Sequence, residues 1–476
     1  MKYSSILLMF IFFITICFAE ESKQFEQRYK TTPSQIIDLS GFYNVEIKSW
    51  DKNEVYINFT VTIASSDEDY EKEYIDSLAI KDTASSDSLK ISYHEISTLR
   101  GDRGIIGFFT RLLSGKYWSY QSAKVSGEII VPRANNLSAS GGLFALEQMQ
   151  GNLFLNGRGG AISLKQCYHI QEIRNNFGTT MIEDCGGNLN ISSKNGKLFV
   201  DGFKGGGTVN ADFSRIEVNN VSEPLTINSK SATIKVKRIQ GNLDINSDFS
   251  DINVKNTNGF LKIKNKGGTI QLEEVDGIEI DAAFTTITAK SISGKASKEM
   301  VVRGQTQPIK IEAATGDLKL YADDSKIELS NINGNVSVTT KNGKIFAEEI
   351  TGDWNSEGEN SSVDAQNLFG QRISASHSGE QQLRFQLKKV PLFIDIKSNQ
   401  DWGLFDVPYG SISVTMPRGF SGDVSLNIPS SGQIYCNLPI KIGSSFLKEH
   451  AEGKIGSGTG KINIQIQRGT IQLMEY

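Results

Sequence analysis

Residues 232–261 read ATIKVKRIQGNLDINSDFSDINVKNTNGFL, and within them the phrase Ile-x-Val-x4-Gly-x-Leu occurs twice, eighteen residues apart. With the first Ile as position 0, the walk outward runs Phe144, Ile162, Thr180, Leu198, Ile216, Ile234, Ile252, Ile270, Ile287, Ile309, Ile327, Ile345 and Val363. Every step is 18 residues except one of 17 and one of 22. Position +2 is apolar in all thirteen units, from Leu146 to Ala365. Position +7 is Gly from Gly151 to Gly370, failing only at His169 and Glu223. A glycine column implies a corner in every unit that needs a positive φ or a close backbone approach. A second small column two residues before position 0 (Gly196, Ser214, Ala232, Ser250) implies a second corner.

Between the corners lie further period-2 pairs such as Leu225/Ile227, Leu243/Ile245 and Leu318/Leu320. Units this short cannot bury an apolar face alone, so they must stack; a fixed period of this kind marks a solenoid. The expected fold is all-β, a single-stranded parallel β-helix with 18-residue rungs. Right-handed winding is the expectation from the general preference of parallel crossovers, with a left-handed β-solenoid as the alternative. Thirteen rungs predict a column roughly 60 Å long at the usual strand spacing. A propeller or sandwich is the competing architecture, but hairpin folds tolerate variable turn lengths and do not demand a constant period.

Four segments follow. Residues 1–19, with Lys2, an apolar run from Ile6 and Ala19 at the end, read as a secretory signal peptide. Residues 20–132 alternate without the glycine column and read as an atypical N-terminal β segment. A short helix starting at Ser65 or Ser66 would turn Tyr70, Tyr74, Ile75 and Leu78 to one side and close the open end of the column. The apolar stretch GIIGFFTRLLSGKYW (104–118) reads as a plug over the core, with a membrane-touching or partner-binding loop as the alternative. Residues 133–370 are the β-helix proper, and 371–476 continue or cap it.

The opening FEQRYKTTPSQIIDLSGFYNVEIKSWDKNEVYI, the VSGEIIVPRANNLSASGG that leads into the repeats, and the ending SISVTMPRGFSGDVSLNIPSSGQIYC with GKIGSGTGKINIQIQRGTIQL resemble the DUF4097 family. These are adhesin-like β-strand-repeat proteins of the cell surface. The resemblance implies a β-repeat fold and a surface location, and it carries no catalytic residues with it.

Chemistry is sparse. A net charge of −4 with scattered lysines offers no stripe for nucleic acid. No stretch after the signal peptide approaches the roughly 18 apolar residues of a spanning helix, so the mature chain is expected to be secreted or held at the cell surface. A polysaccharide-cleaving β-helix needs paired carboxylates on one outer face. The outward column +1 (Glu217, Lys235, Asn253, Gln271, Thr288, Lys310, Glu328) holds no acidic cluster, the outward column +10 (Thr226, Asp244, Lys262, Glu279) alternates in sign, and His94, His169, His377 and His450 are dispersed. No cofactor or metal motif occurs. Outward Met181, Phe199 and Phe346 are the candidate contacts for a glycan or cell-envelope partner. Cys167 and Cys185 share position +5 in adjacent rungs, close enough for a disulfide, with two reduced core thiols as the alternative. The sequence thus points to an exported, non-enzymatic adhesin or partner-binding rod. The alternatives are a polysaccharide-active enzyme, with 293–308 as its one grafted loop, or an envelope scaffold.

Overall fold

A computed structural model describes residues 20–65, 68–94, 121–295, 299–379, 381–399, 410–445 and 448–476. Residues 1–19 and the stretch 104–118 lie outside the described residues. The chain forms two compact units, Met1–Gly160 and Ala161–Tyr476. Neither expected boundary, at 132 or at 370, coincides with this division.

In the second unit the columns inferred from the sequence stand over one another. Leu198 pairs in parallel with Ile216, Ile216 with Ile234, Ile234 with Ile252 and Ile252 with Ile270. The register continues through Ile287, Ile309, Ile327, Ile345 and Val363. Leu225, Leu243, Leu261 and Ile278 make the matching column on the second strand. All are buried. Each fully buried Ile or Leu contributes about 1.5–3 kcal/mol of apolar transfer, and stacking supplies the neighbours that one coil lacks. The parallel ladder runs on past residue 370: Trp354–Glu359 pairs with Arg372–Ser378, and Gln382–Leu387 with Gly410–Met416.

The glycine corner is present as expected. A Cβ added to Gly352 would lie 2.3 Å from the carbonyl carbon and oxygen of Gly334 in the rung before. Next to the glycine an Asx column closes the corner: Asp353 N donates to Asn335 Oδ1 and Asn335 N to Asp317 Oδ1, each at 2.9 Å.

The structure has a further bend that the period-2 alternation does not predict. At position +4 the backbone is left-handed in rung after rung, as at Asn220 (φ 54°), Arg238 (φ 53°), Asn256 (φ 54°) and Glu274 (φ 55°). The bend turns position +5 inward, where Phe203, Val221, Ile239, Val275 and Ile332 are buried. The strand that looked straight in sequence therefore supplies two sides of each coil.

The far end of this unit departs from sequence order. Strand Phe393–Asn399 pairs in parallel with Gly460–Ile466, which pairs in parallel on its other edge with Gly422–Ile428. Likewise Gly469–Glu475 lies between Gly410–Met416 and Gly432–Cys436. The last residues are thus slotted in as the rung between two earlier ones. Lys448–Ile455 then runs antiparallel along Gly422–Ile428, and Lys441–Ser445 antiparallel along Lys448–Ile455.

The first unit mixes antiparallel with parallel pairing. Strand Glu54–Ser65 is flanked antiparallel by Glu20–Lys30 and Gln121–Pro132, while Ile36–Trp50 pairs in parallel with Asn136–Glu147. The expected helix is Glu68–Ser77, with Tyr74, Ile75 and Leu78 buried. Lys23 Nζ donates to the carbonyls of Ile75 and Leu78 at 3.1 and 2.9 Å, satisfying groups at the helix C-terminus.

Candidate interaction surface

Of the expected contact residues, Met181 and Phe199 are register partners on adjacent rungs. Phe346 lies eight rungs further on in the same column, so the structure does not bring the three together. Met181 is exposed, whereas the Phe199 ring is partly covered, with the Arg215 guanidinium 6.0 Å from its centroid. Phe346 is exposed, and Lys326 Nζ stands 5.4 Å from its ring while also pairing with Glu328. Hydrogen bonding from Arg215, with Lys235 beyond it, holds the Glu217 carboxyl below the usual carboxylate range. This face is a solvated ladder of cations, acids and single apolar side chains.

A more regular feature occupies the corner three residues before position 0, immediately ahead of the second small column. Phe177, Phe213, Phe249 and Phe284 sit there on every second rung, 69, 50, 60 and 52% exposed. All four backbones are left-handed, with φ of 62, 52, 52 and 54°. The intervening rungs carry Asn195, Ser231 and Gly267 at the same corner. Left-handed backbone is tolerated by Gly and Asn but is a true outlier for a bulky side chain, costing on the order of 1–2 kcal/mol. Four large exposed rings therefore occupy the positions where they are least favoured. Beyond Phe284 the column reads Thr306, Asp324, Asn342 and Asn360, so the aromatic row has a defined end.

The corner is held from below. Ser214 Oγ donates to Asp212 O at 2.8 Å, Ser250 Oγ to Asp248 O at 3.1 Å and Thr285 Oγ1 to Ala283 O at 2.9 Å. Each of these bonds spans one Phe and ties the residue after it to the residue before. Ser250 Oγ also accepts Ala232 N at 3.1 Å, and Thr285 Oγ1 accepts Gly267 N at 3.0 Å, which links rung to rung. The backbone ladder passes through the corner as well: Phe177 N donates to Lys194 O and Phe213 N to Lys230 O, both at 2.7 Å. The small residues between the rings matter sterically. A Cβ on Gly267 would meet Phe249 Cδ1 at 3.0 Å, so that ring leans over the next rung. The row could have been found in sequence as Phe-[Gly/Ser/Thr] recurring at 36, 36 and 35 residues.

The cysteines are stacked as their spacing implied, but as buried thiols rather than a disulfide. Cys167 N donates to Cys185 Sγ at 3.3 Å, and the bonded, buried Cys185 thiol is pushed far up from its ordinary value. His377 lies inside the coil, with Nε2 3.0 Å from Ser356 Oγ and Nδ1 2.8 Å from Ser361 Oγ. Trp354 Nε1 also donates to Ser356 Oγ at 3.1 Å, so Trp354, Ser356, His377 and Ser361 form one buried hydrogen-bonded chain. Burial pushes the imidazole down to about 4. With Ser356 fully buried and His377 2% exposed, this Ser–His contact has no route to a substrate. Among the described residues no group of three His, Cys, Asp or Glu is placed to hold a metal ion. No described helix is long and apolar enough to cross a membrane. No family model, curated protein or solved structure matches the chain.

Proposed function

We propose that this chain is an exported, non-enzymatic surface protein that binds a partner along the aromatic corner of its solenoid. The observation that carries the reading is the row Phe177, Phe213, Phe249 and Phe284: bulky, exposed side chains kept in left-handed backbone where Asn or Gly would cost less. Strain of that kind, persisting because the surrounding structure fixes it, accompanies functional positions. The signal-like N-terminus and the resemblance to the DUF4097 surface proteins support the location. The mature protein should bind whole cells or an immobilised glycan panel. A variant with all four phenylalanines changed to Ser, still cooperatively folded, should lose most of that binding. Absence of binding by the unaltered chain across cells and panels would leave the protein a spacer and end the adhesion reading.

A further inference from the structure

Resting on the partner-binding reading, we infer that the aromatic corner takes a neutral, extended polysaccharide whose repeating unit is two sugars, one repeat per phenylalanine. The rings recur every second rung, which at the usual strand spacing of about 4.8 Å puts them roughly 9–10 Å apart over a row of about 29 Å. In an extended β-linked chain neighbouring sugars are turned over relative to each other, so the same face of the polymer returns once per disaccharide. Two pyranose rings cover about the length of two β-rungs. A partner with that period meets all four rings in register, whereas a globular protein surface has no reason to.

The chemistry fits the same class. The C–H face of a pyranose packs on an aromatic ring, and exposed Phe offers that surface with no hydrogen-bonding demand of its own. Residues just before the corner supply polar groups for sugar hydroxyls: Lys194, Lys230 and Lys266 on the intervening rungs, Asp212 and Asp248 on ring-bearing ones. These charges alternate along the ladder, with Asp248 in register between Lys230 and Lys266. They nearly cancel, so the row has no strong preference for an anionic polymer or an anionic bilayer. Backbone N–H groups at the corner already donate to neighbouring rungs, as Asn195 N does to Asp212 O and Ser231 N to Asp248 O. An added β-strand would therefore find no ladder to extend, which argues against a peptide in that mode.

The test is titration calorimetry on the mature chain with β-1,4-linked glucose and N-acetylglucosamine oligomers of two, four, six, eight and ten sugars. Each added disaccharide should tighten binding about three- to tenfold, levelling once four rings are occupied. Phe249→Ser should cost one such step, the fourfold Ser variant should abolish binding with its melting transition retained, and tenfold more salt should change little. Affinity that ignores length, or that survives in the fourfold variant, overturns the inference. So does binding confined to uronic-acid polymers and lost with salt, or a Phe-dependent attachment to lipid vesicles. Cell binding that depends on the four phenylalanines, with no binding to any of these neutral oligomers, would sink this inference alone, while cell binding retained by the fourfold variant, or no cell or glycan binding by the unaltered protein, would sink the partner-binding reading with it.

Discussion

Acid should weaken the part of the column that encloses His377, by an amount its burial sets. An unfolded chain takes up a proton on this imidazole near pH 6.5, whereas the folded one resists until about pH 4. A lowered histidine value means that folding is unaffected above pH 6.5, loses stability steadily as pH falls from 6.5 to 4, and levels off below. At 1.36 kcal/mol per unit the loss reaches about 3 kcal/mol. The comparison protein is His377→Asn, because Asn265 already occupies a similar buried inward position and hydrogen-bonds there. Trp354, which donates to Ser356 beside the imidazole, is the local reporter once the other three tryptophans are replaced by Phe. Urea unfolding by tryptophan fluorescence at pH 8 should show the Asn variant less stable by about 1–2 kcal/mol, from the two altered hydrogen bonds. The gap should close and reverse toward pH 4, a relative swing of about 3 kcal/mol. Stability curves that stay parallel from pH 8 to pH 4 would refute the argument, since every other titrating group is common to both proteins.

Replacing Phe213 by Asn should leave stability unchanged or raise it by about 0.5–1 kcal/mol in a thermal melt, as left-handed strain is relieved while an exposed ring is lost; a loss above 1 kcal/mol would mean the ring is structural. Gly352→Ala should cost on the order of 2–4 kcal/mol or shift the chain to aggregates, because its Cβ collides with the Gly334 carbonyl. Denaturant melts of that variant beside an exposed-surface control will show it. Cys167 and Cys185 should resist alkylation in the native protein and react together on unfolding, with no mass change on reduction beforehand; a disulfide detected by intact mass would contradict the thiol pair.

The stacked core was legible because burial leaves a residue-type signature: Ile216, Ile234 and Ile252 must be aliphatic, and Gly334 and Gly352 must lack a Cβ. The bend at position +4 left none. Asn220, Arg238 and Glu274 adopt the same left-handed conformation, paid by the stacked ladder on either side and not by any one side chain. The aromatic corner is written in the sequence as a doubled period, but its phenylalanines lie outside the period-2 alternation that marks the strands and so carry no strand signal. The spacing of Cys167 and Cys185 gave their stacking; bond formation depends on side-chain direction, which the period does not encode. Rung order at the far end was illegible for a different reason. Alternation in residues 460–475 announces strands, while nothing in it says that they lie between strands made earlier.

That slotted rung bears on mechanics. In a solenoid wound strictly in order, a pull on the final strand peels away one outer ladder, bond by bond. Here a load applied beyond Leu473 must slide Gly469–Glu475 past both Gly410–Met416 and Gly432–Cys436 at once. Loading two ladders in shear resists tension far better than opening one like a zipper, so the tip of this column is braced against being unravelled by whatever tugs on it.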